Sequence, residues 1–145
     1  MAKIVKWNAE KLIKRVPLVL TNYGIRVTPL LQDSIKAKVY PWPTVTDQGG
    51  RIVTRRNNGE EVTTPRNIVD TGTLLRSQSA PKITANSLTI IWAAPYSGEV
   101  LRGGYVVGRS NGNYIAPDRD WITPVIRTEP PLKFFAAEWR KIGGS

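Results

Sequence analysis

The stretch NAEKLIKRVPLVLTNYGIRVTPLLQDSIKAKVY, residues 8–40, decides the fold because one helical pattern continues through two prolines. Its apolar side chains recur at steps of three and four residues, which places them on one side of an α-helix. The residues at this spacing are Leu12, Val16, Val19, Leu20, Tyr23, Val27, Leu30, Leu31 and Ile35. Because the pattern resumes in register after Pro17 and Pro29, it predicts a single kinked helix with Asn8 as its N-cap. The alternative is two or three short core helices joined by tight bends, with Thr28 and Pro29 starting the last one.

The length of this helix bears on how the protein acts. A continuous helix of about 31 residues would be roughly 46 Å long, which exceeds the span of a compact core in a chain of this size. We therefore expect part of its apolar side to pack on a neighbouring subunit.

The composition restricts the chemistry open to the chain. At 145 residues it is expected to form one domain, residues 1–145, with its own hydrophobic core. Cysteine and histidine are both absent, which excludes disulfides, thiol nucleophiles, imidazole bases and nearly every zinc or iron site. The sequence contains no phosphate-binding glycine loop, no carboxylate cluster and no membrane-spanning apolar run, so we expect no cofactor, no metal and no membrane partner.

The charge is strongly positive. Lysine and arginine number 21 against 11 aspartate and glutamate residues, a net charge of +10. Such an excess attracts nucleic acid or acidic protein surfaces. Because the cations are spread along the chain, a solvated basic surface facing an acidic partner and direct nucleic-acid binding both stay open.

Short strands, turns and short helices follow residue 40, so the sequence predicts an α+β fold. The Asn-Gly pair within residues 57–59, between the runs 51–56 and 60–64, predicts a hairpin. Since it has few large apolar residues, we interpret it as an arm that lies on a partner, with a solvent-exposed hairpin as the alternative. Two strands, residues 81–84 and 88–93, are expected next. Both faces of the second are apolar, which predicts a central or doubly covered strand.

The last third of the chain predicts a helix, a hairpin and two more helices. Residues 94–104 indicate a short helix with a glycine stop, and residues 105–114 a protruding loop or hairpin. Asp120 is expected to cap the next helix, and Pro130 with Pro131 to open a closing helix. The apolar residues on one face of the closing helix are Leu132, Phe135, Ala136, Trp139 and Ile142. We expect this helix to pack on the small antiparallel sheet.

The sharpest candidate for catalysis is the run IVDTGT at residues 68–73, which resembles the active-site turn of aspartic proteases. That chemistry needs two carboxylates sharing a proton, which one motif supplies only in a symmetric dimer. Too few positions separate it from the second signature-like run, residues 106–109, to hold a flap and its return strands. We therefore interpret Asp70, Thr71 and Gly72 as a structural turn before a short helix, and expect no enzymatic activity. A dimeric aspartic protease is kept as the less favoured alternative.

Three segments carry a family resemblance: VDTGTLLRSQ at residues 69–78, PYSGEVLRGG at 95–104 and RDWITPVI at 119–126. With a long helix before them and a final helix after them, they resemble tailed-bacteriophage neck and tail-completion proteins. The family pieces are similar to vDTG-x-Lr-x-S, pYA-x-x-vE-x-Gt and a-R-P-F-l-x-P-a. The matching residues are Asp70, Thr71, Gly72, Leu74, Arg76 and Ser77, then Tyr96 and Gly103, then Arg119, Ile122 and Pro124. The chain departs from this pattern where Asp120 and Trp121 replace Pro-Phe, and residues 51–64 look like an inserted hairpin arm.

The resemblance implies a structural virion protein, assembled in the host cytoplasm into a hexameric ring at the head–tail junction. Such a ring caps the tail tube and joins it to the head-side connector. The implied partners are further copies of the chain, connector or stopper proteins, tail-tube proteins and, in passing, double-stranded DNA. Candidate contact residues are Arg51, Arg55, Arg56, Tyr96, Glu99, Arg102 and Arg109. The alternatives are another neck component, such as a stopper or adaptor, and a basic nucleic-acid-binding module.

Overall fold

The computed structural model describes residues 9–42, 54–55, 61–62, 64–69, 72–104, 106–109 and 112–141. The predicted α+β class is confirmed. The helices are α1 (Ala9–Lys36), α2 (Thr73–Arg76), α3 (Ser97–Arg102), α4 (Thr123–Thr128) and α5 (Pro131–Lys141). The strands are β1 (Thr54–Arg55), β2 (Glu61–Val62), β3 (Lys82–Ile83), β4 (Leu88–Thr89), β5 (Val106–Arg109) and β6 (Gly112–Ile115). They pair as three separate two-stranded antiparallel sheets, β1 with β2, β3 with β4 and β5 with β6.

The first helix is continuous over 28 residues, with Pro17 and Pro29 both inside it. The predicted single helix is therefore confirmed, and the alternative of separate short helices is wrong. At 1.5 Å per residue its length is about 42 Å. The Thr28 hydroxyl donates to the Gly24 carbonyl at 2.6 Å, so this residue bonds back into the helix instead of starting a new one.

The helix ends four residues before the predicted boundary at Tyr40. The Tyr40 N–H donates to the Arg66 carbonyl and the Arg66 N–H to the Tyr40 carbonyl, both at 2.9 Å. The Ile68 N–H also donates to the Ile35 carbonyl at 3.0 Å. Residues 66–68 therefore form backbone hydrogen bonds with the last turn of α1 and with Tyr40. These bonds hold the chain beside residues 66–68 where the helix ends.

The core lies along the middle and C-terminal part of α1. Six of the predicted stripe residues are buried: Val19, Leu20, Tyr23, Val27, Leu31 and Ile35. Four of these, from Tyr23 to Ile35, form one buried cluster with residues from the rest of the chain: Ile68, Leu74, Val100, Trp121 and Val125. Trp92 packs edge-on against Trp121, with ring centroids 5.5 Å apart. The long helix is thus the element on which α2, α3 and α4 assemble.

The strands are shorter than predicted. The arm predicted over residues 51–64 forms a hairpin pairing, Thr54 with Val62 and Arg55 with Glu61, while its turn lies outside the described residues. The predicted strand 88–93 ends at Thr89, and the chain beyond it pairs with a different segment: the Ser79 N–H donates to the Ile91 carbonyl at 2.7 Å.

The prediction that this second strand is central or doubly covered is wrong. Leu88, Ile90 and Trp92 are half-buried, whereas Thr89, Ile91 and Ala93 are exposed. One side therefore faces the core and the other faces solvent, although Ile91 on the outer side is 56% exposed and apolar. The alternation of side chains along the strand agrees with the observed burial. The apolar character of both sides does not, because one side faces solvent.

The C-terminal helices attach to α1. The predicted hairpin over 105–114 forms as β5 and β6, and the predicted short helix ends at Gly103 as expected. The chain then turns through α4, which contacts α1, and into α5, which also contacts α1. Among the residues that the structure describes, no helix combines the length and apolar character needed to cross a bilayer.

Candidate functional site

The candidate turn before α2 is partly described. Asp70 and Thr71 lie outside the described residues. Gly72 has a φ of 80°, a conformation that residues with a Cβ rarely adopt, and α2 begins at the next residue. A Cβ at this position would come 2.6 Å from Nη1 of Arg76, whose side chain folds back over the turn. Because φ is positive here, glycine fits the entry to α2, while the flexible tip of Arg76 could move away from a larger residue.

Three of the candidate contact residues lie together on α3. Tyr96 precedes the helix and is 38% exposed, and Glu99 and Arg102 follow at steps of three as exposed residues. The Arg102 Nε donates to the Gly98 carbonyl at 3.2 Å, which holds the guanidinium along the helix. Val100 is buried against the core, so α3 presents these three side chains on its outer side.

The other candidate contact residues lie elsewhere. Arg55 is on β1 and Arg109 is on β5, and for these two the structure describes the backbone. Arg51 and Arg56 are outside the described residues. The strands β1 and β5 belong to separate sheets, so the described part of the chain does not place Arg55 and Arg109 in one sheet.

The end of α3 is held tightly against a later segment. Gly103 has a φ of 62°, and a Cβ there would lie 2.4 Å from the backbone nitrogen of Asp118. The Gly104 N–H donates to the Ala116 carbonyl at 2.8 Å, and the Arg119 N–H to the Val100 carbonyl at 3.1 Å. Two of the segments that carry the family resemblance, residues 95–104 and 119–126, are therefore joined here by a backbone hydrogen bond.

Trp42, which follows the end of α1, forms a cluster with two arginines that the sequence did not predict. The Arg66 guanidinium carbon lies 5.3 Å from the centre of the Trp42 ring, and that of Arg119 lies 4.4 Å from it. The Trp42 backbone N–H donates to the Thr64 hydroxyl at 3.0 Å. Because these residues are far apart in sequence and share no motif, spacing contained no signal for the cluster. Cation–π contacts with the Trp42 ring therefore hold the guanidinium groups of both arginines in place.

Asp120 caps α4, as predicted. Its carboxylate accepts hydrogen bonds from the backbone N–H groups of Ile122 and Thr123, both at 2.9 Å. Burial alone would raise the pKa of Asp120. The hydrogen bonds from Thr123 and Ile122, together with the charge of Arg127, outweigh burial and lower this pKa below its ordinary value.

The apolar face of the closing helix α5 is only partly covered. The helix contacts α1 through Phe134, whose ring lies 5.2 Å from that of Tyr23, and through Glu138, which accepts from Asn22 at 3.3 Å. The predicted apolar face is centred about 150° round the helix from Phe134. Leu132 is 86% exposed, Ala136 is exposed, and Phe135 and Trp139 are half-buried. Ile142, predicted on the same face, is outside the described residues.

None of the eleven residues of α5, all of which the structure describes, is buried. The predicted packing of the closing helix against the rest of the fold is confirmed, but its periodic face is only partly covered, since Phe135 and Trp139 are half-buried and Leu132 is 86% exposed. The neighbouring part of α1 is also poorly covered, since Ile13 is 63% exposed and Leu18 is 53% exposed. Large apolar side chains are also exposed elsewhere among the described residues, at Ile25, Val39, Ile91, Ile115 and Ile126.

The remaining tests of the site are negative. Within the described ranges, no group of three or more Asp or Glu side chains is placed to hold a metal ion. Compared with models of protein families, with curated proteins and with solved structures, the chain shows no match.

Proposed function

We propose that the protein is a structural component of a tailed phage virion, which forms a ring at the head–tail junction, caps the tail tube and joins it to the head-side connector. The observation that carries this proposal is the exposure of large apolar side chains on the two amphipathic helices: Ile13, Leu18 and Ile25 on α1 and Leu132 on α5. Large apolar side chains that are exposed on the surface of a helix mark a site of contact with another protein. The molecule is then completed by assembly rather than by its own core.

The sequence resemblance supplies the kind of assembly. Its three segments pack around one core in the structure: Leu74, Val100 and Trp121, one from each, are buried in the same cluster. The long helix before them and the closing helix after them follow the order of the resembling family. The Gly72 and Gly103 turns act as architectural joints in this proposal, and no chemistry is assigned to Asp70.

The positive charge suits this position. A net charge of +10 favours contact with acidic surfaces of adjoining rings and with DNA that passes through the ring. Arg102, Arg127, Lys133 and Arg140 are exposed and available for such contacts. Long-range attraction of this type weakens as salt screens the charges.

The test is a phage in which the gene for this chain is inactivated. Electron microscopy of the lysate is expected to show filled heads and separate tails, and supplying the wild-type protein is expected to restore joined particles. Joined, infectious particles in the absence of the protein would contradict the proposal. An Asp70→Asn variant serves as the control against a protease: it is expected to restore joining, whereas a protease would lose all function.

A basic nucleic-acid-binding module is the second candidate, favoured by the net charge. It predicts that the isolated protein is retained on duplex DNA with an affinity that falls steeply between low and physiological salt. The ring proposal instead expects weak retention by the free subunit, because the contact with DNA is made in the assembled junction. Filter retention of the purified protein across a salt series separates the two.

A further inference from the structure

We infer that duplex DNA lies against the outer side of α5, where Lys133 and Arg140 contact its phosphate groups. We call this surface the cation row; it consists of Lys133, Ala136, Ala137 and Arg140. The inference rests on the proposed function only in that the ring brings DNA within reach of this surface. It names the residues that meet DNA, which the net charge of the chain does not specify.

The cation row is the solvent-facing side of the closing helix. With about 100° between successive residues, Lys133 and Arg140 project within about 20° of one another, and the two alanines lie about 50° to either side. All four side chains are exposed. Phe134 and Glu138, which attach α5 to α1, lie about 130° round the helix from the two cations.

The two cations of the row are not neutralised within the part of the chain that the structure describes. Neither Lys133 nor Arg140 forms an ion pair there. The one carboxylate of α5, on Glu138, accepts from Asn22 and pairs with Lys141 at 2.8 Å, and its side chain is only 14% exposed. Two positive charges on the same side of the helix are therefore available to the anions of a partner.

The composition of the row favours phosphate over a protein surface. Lysine and alanine are depleted in protein interfaces, whose centres depend on aromatic and other large side chains. Phosphate contacts need cations, and duplex DNA presents one negative charge per about 1.7 Å of its length. Lys133 and Arg140 are about 10.5 Å apart along the helix axis, so each reaches a separate phosphate.

The alanines between the cations decide what can be recognised. The methyl side chains of Ala136 and Ala137 are small, so a DNA strand can approach the helix closely. They have no hydrogen-bonding group for a base edge, and such groups are what reads sequence in the grooves. We therefore expect contact with the sugar–phosphate backbone, without preference for sequence, as suits DNA that passes through a ring.

Two double variants of equal charge test the cation row. Lys133→Gln with Arg140→Gln, the row variant, removes both cations of the row. Lys38→Gln with Lys82→Gln, the control variant, removes two exposed cations from other parts of the chain. Each removes two charges and lowers the net charge from +10 to +8, so both weaken long-range attraction equally. Retention of a short duplex by the full chain is measured from low salt upwards, and thermal unfolding confirms that each variant is folded.

The expected result is a change in the salt dependence of the row variant alone. Each phosphate contact contributes about 0.9 to the slope of log affinity against log salt. The row variant is therefore expected to reduce this slope by about 1.8, so that the wild type's advantage over it shrinks roughly tenfold between about 50 and about 200 mM salt. The control variant is expected to keep the wild-type slope. Lys133→Arg with Arg140→Lys is expected to bind as the wild type does, because it keeps both charges.

Equal losses of slope in the row variant and the control variant would overturn the inference, and so would a wild type that does not bind the duplex even at low salt. Poly-glutamate tests the rival partner, an acidic protein. If poly-glutamate displaces the duplex at the same concentration of negative charge, the row is a surface for acidic proteins and the inference fails.

Phage complementation separates this inference from the proposed function. If the row variant keeps the wild-type slope, while phage lacking the protein makes unjoined heads and tails, the DNA contact lies elsewhere and the proposed function stands. If the row variant loses the slope as expected, but phage lacking the protein still joins heads to tails, the proposed function fails and the DNA contact stands.

Discussion

Helices α1 and α5 are equally amphipathic in sequence, yet the structure buries one apolar side and covers the other only in part. From Tyr23 to Ile35, the apolar side of α1 packs in one cluster with residues of α2, α3, α4 and the segment around Ile68. On the apolar side of α5, Leu132 is 86% exposed while Phe135 and Trp139 are half-buried, and the helix contacts α1 through Phe134 and Glu138. The comparison teaches that periodicity identifies which side of a helix is apolar, whereas the order and length of the other elements decide what covers it.

The largest expected effect comes from making one substitution in both helices. Leu31 on α1 is 3% exposed and Leu132 on α5 is 86% exposed. Leu31→Ala is expected to lower the free energy of unfolding by about 2–5 kcal/mol, because it leaves a cavity. Leu132→Ala is expected to change it by less than about 0.5 kcal/mol. Urea unfolding at a concentration where the protein is monomeric measures both, and similar losses would show that α5 is covered within a single subunit.

The cap of α4 tests how firmly the connection to α5 is anchored. Asp120→Ala removes the acceptor for the Ile122 and Thr123 N–H groups and is expected to cost about 1 kcal/mol of unfolding free energy. Asp120→Asn keeps an oxygen that accepts these bonds, so it serves as the control and is expected to recover most of the loss. A loss of the same size in both variants would assign the effect to charge rather than to the cap.

The lowered pKa of Asp120 also predicts a pH dependence. A carboxyl group whose pKa is lower in the folded state contributes stability above its unfolded pKa, and that stability is lost as the pH falls through the folded pKa. The advantage of the wild type over Asp120→Ala is therefore expected to be complete at neutral pH and to shrink below about pH 4. Urea unfolding of both proteins at a series of pH values checks this.

An effect of similar size is expected where α1 meets the turn before α5. The Tyr23 hydroxyl donates to the Glu129 carbonyl at 2.8 Å, and Tyr23→Phe removes this bond while keeping the ring against Phe134. We expect a loss of about 0.5–1.5 kcal/mol. Burial, with the charge of Glu129 second, raises the pKa of Tyr23. The stability that the Tyr23 hydroxyl contributes is thus fully present below pH 10 and is lost as the pH rises through the raised pKa. Unfolding measurements in alkaline buffer would detect this loss.

The smallest effect is expected from the ion pair beside it. Arg26 Nη2 lies 2.7 Å from Glu129 Oε1, but the arginine side chain is 59% exposed. Arg26→Gln is therefore expected to change stability less than Tyr23→Phe does, and the difference from the wild type is expected to vanish in high salt. A larger loss than that of Tyr23→Phe would show that charge, and not the buried contact, attaches this end of α5 to α1.

Much of the fold was predictable because its signals are local. The apolar spacing of α1, the Asp120 cap, the glycine stop at Gly103 and the two hairpins each depend on residues close together in the chain. The candidate contact residues Tyr96, Glu99 and Arg102 are exposed in the structure, and their role as contacts stays a prediction. The end of the strand at Thr89 was not predictable, because the pairing of Ile91 with Ser79 depends on a segment outside the strand pair.

The amino-acid sequence by itself determined the long helix, the α+β class, the positive charge and the apolar sides of α1 and α5, since these follow from residue types and their spacing. Only the tertiary structure decided that Trp42 lies against Arg66 and Arg119, and that the apolar side of α5 is covered only in part. The physical reason is that spacing specifies the direction of a side chain around its own helix. Whether another element reaches that direction depends on contacts between distant parts of the chain.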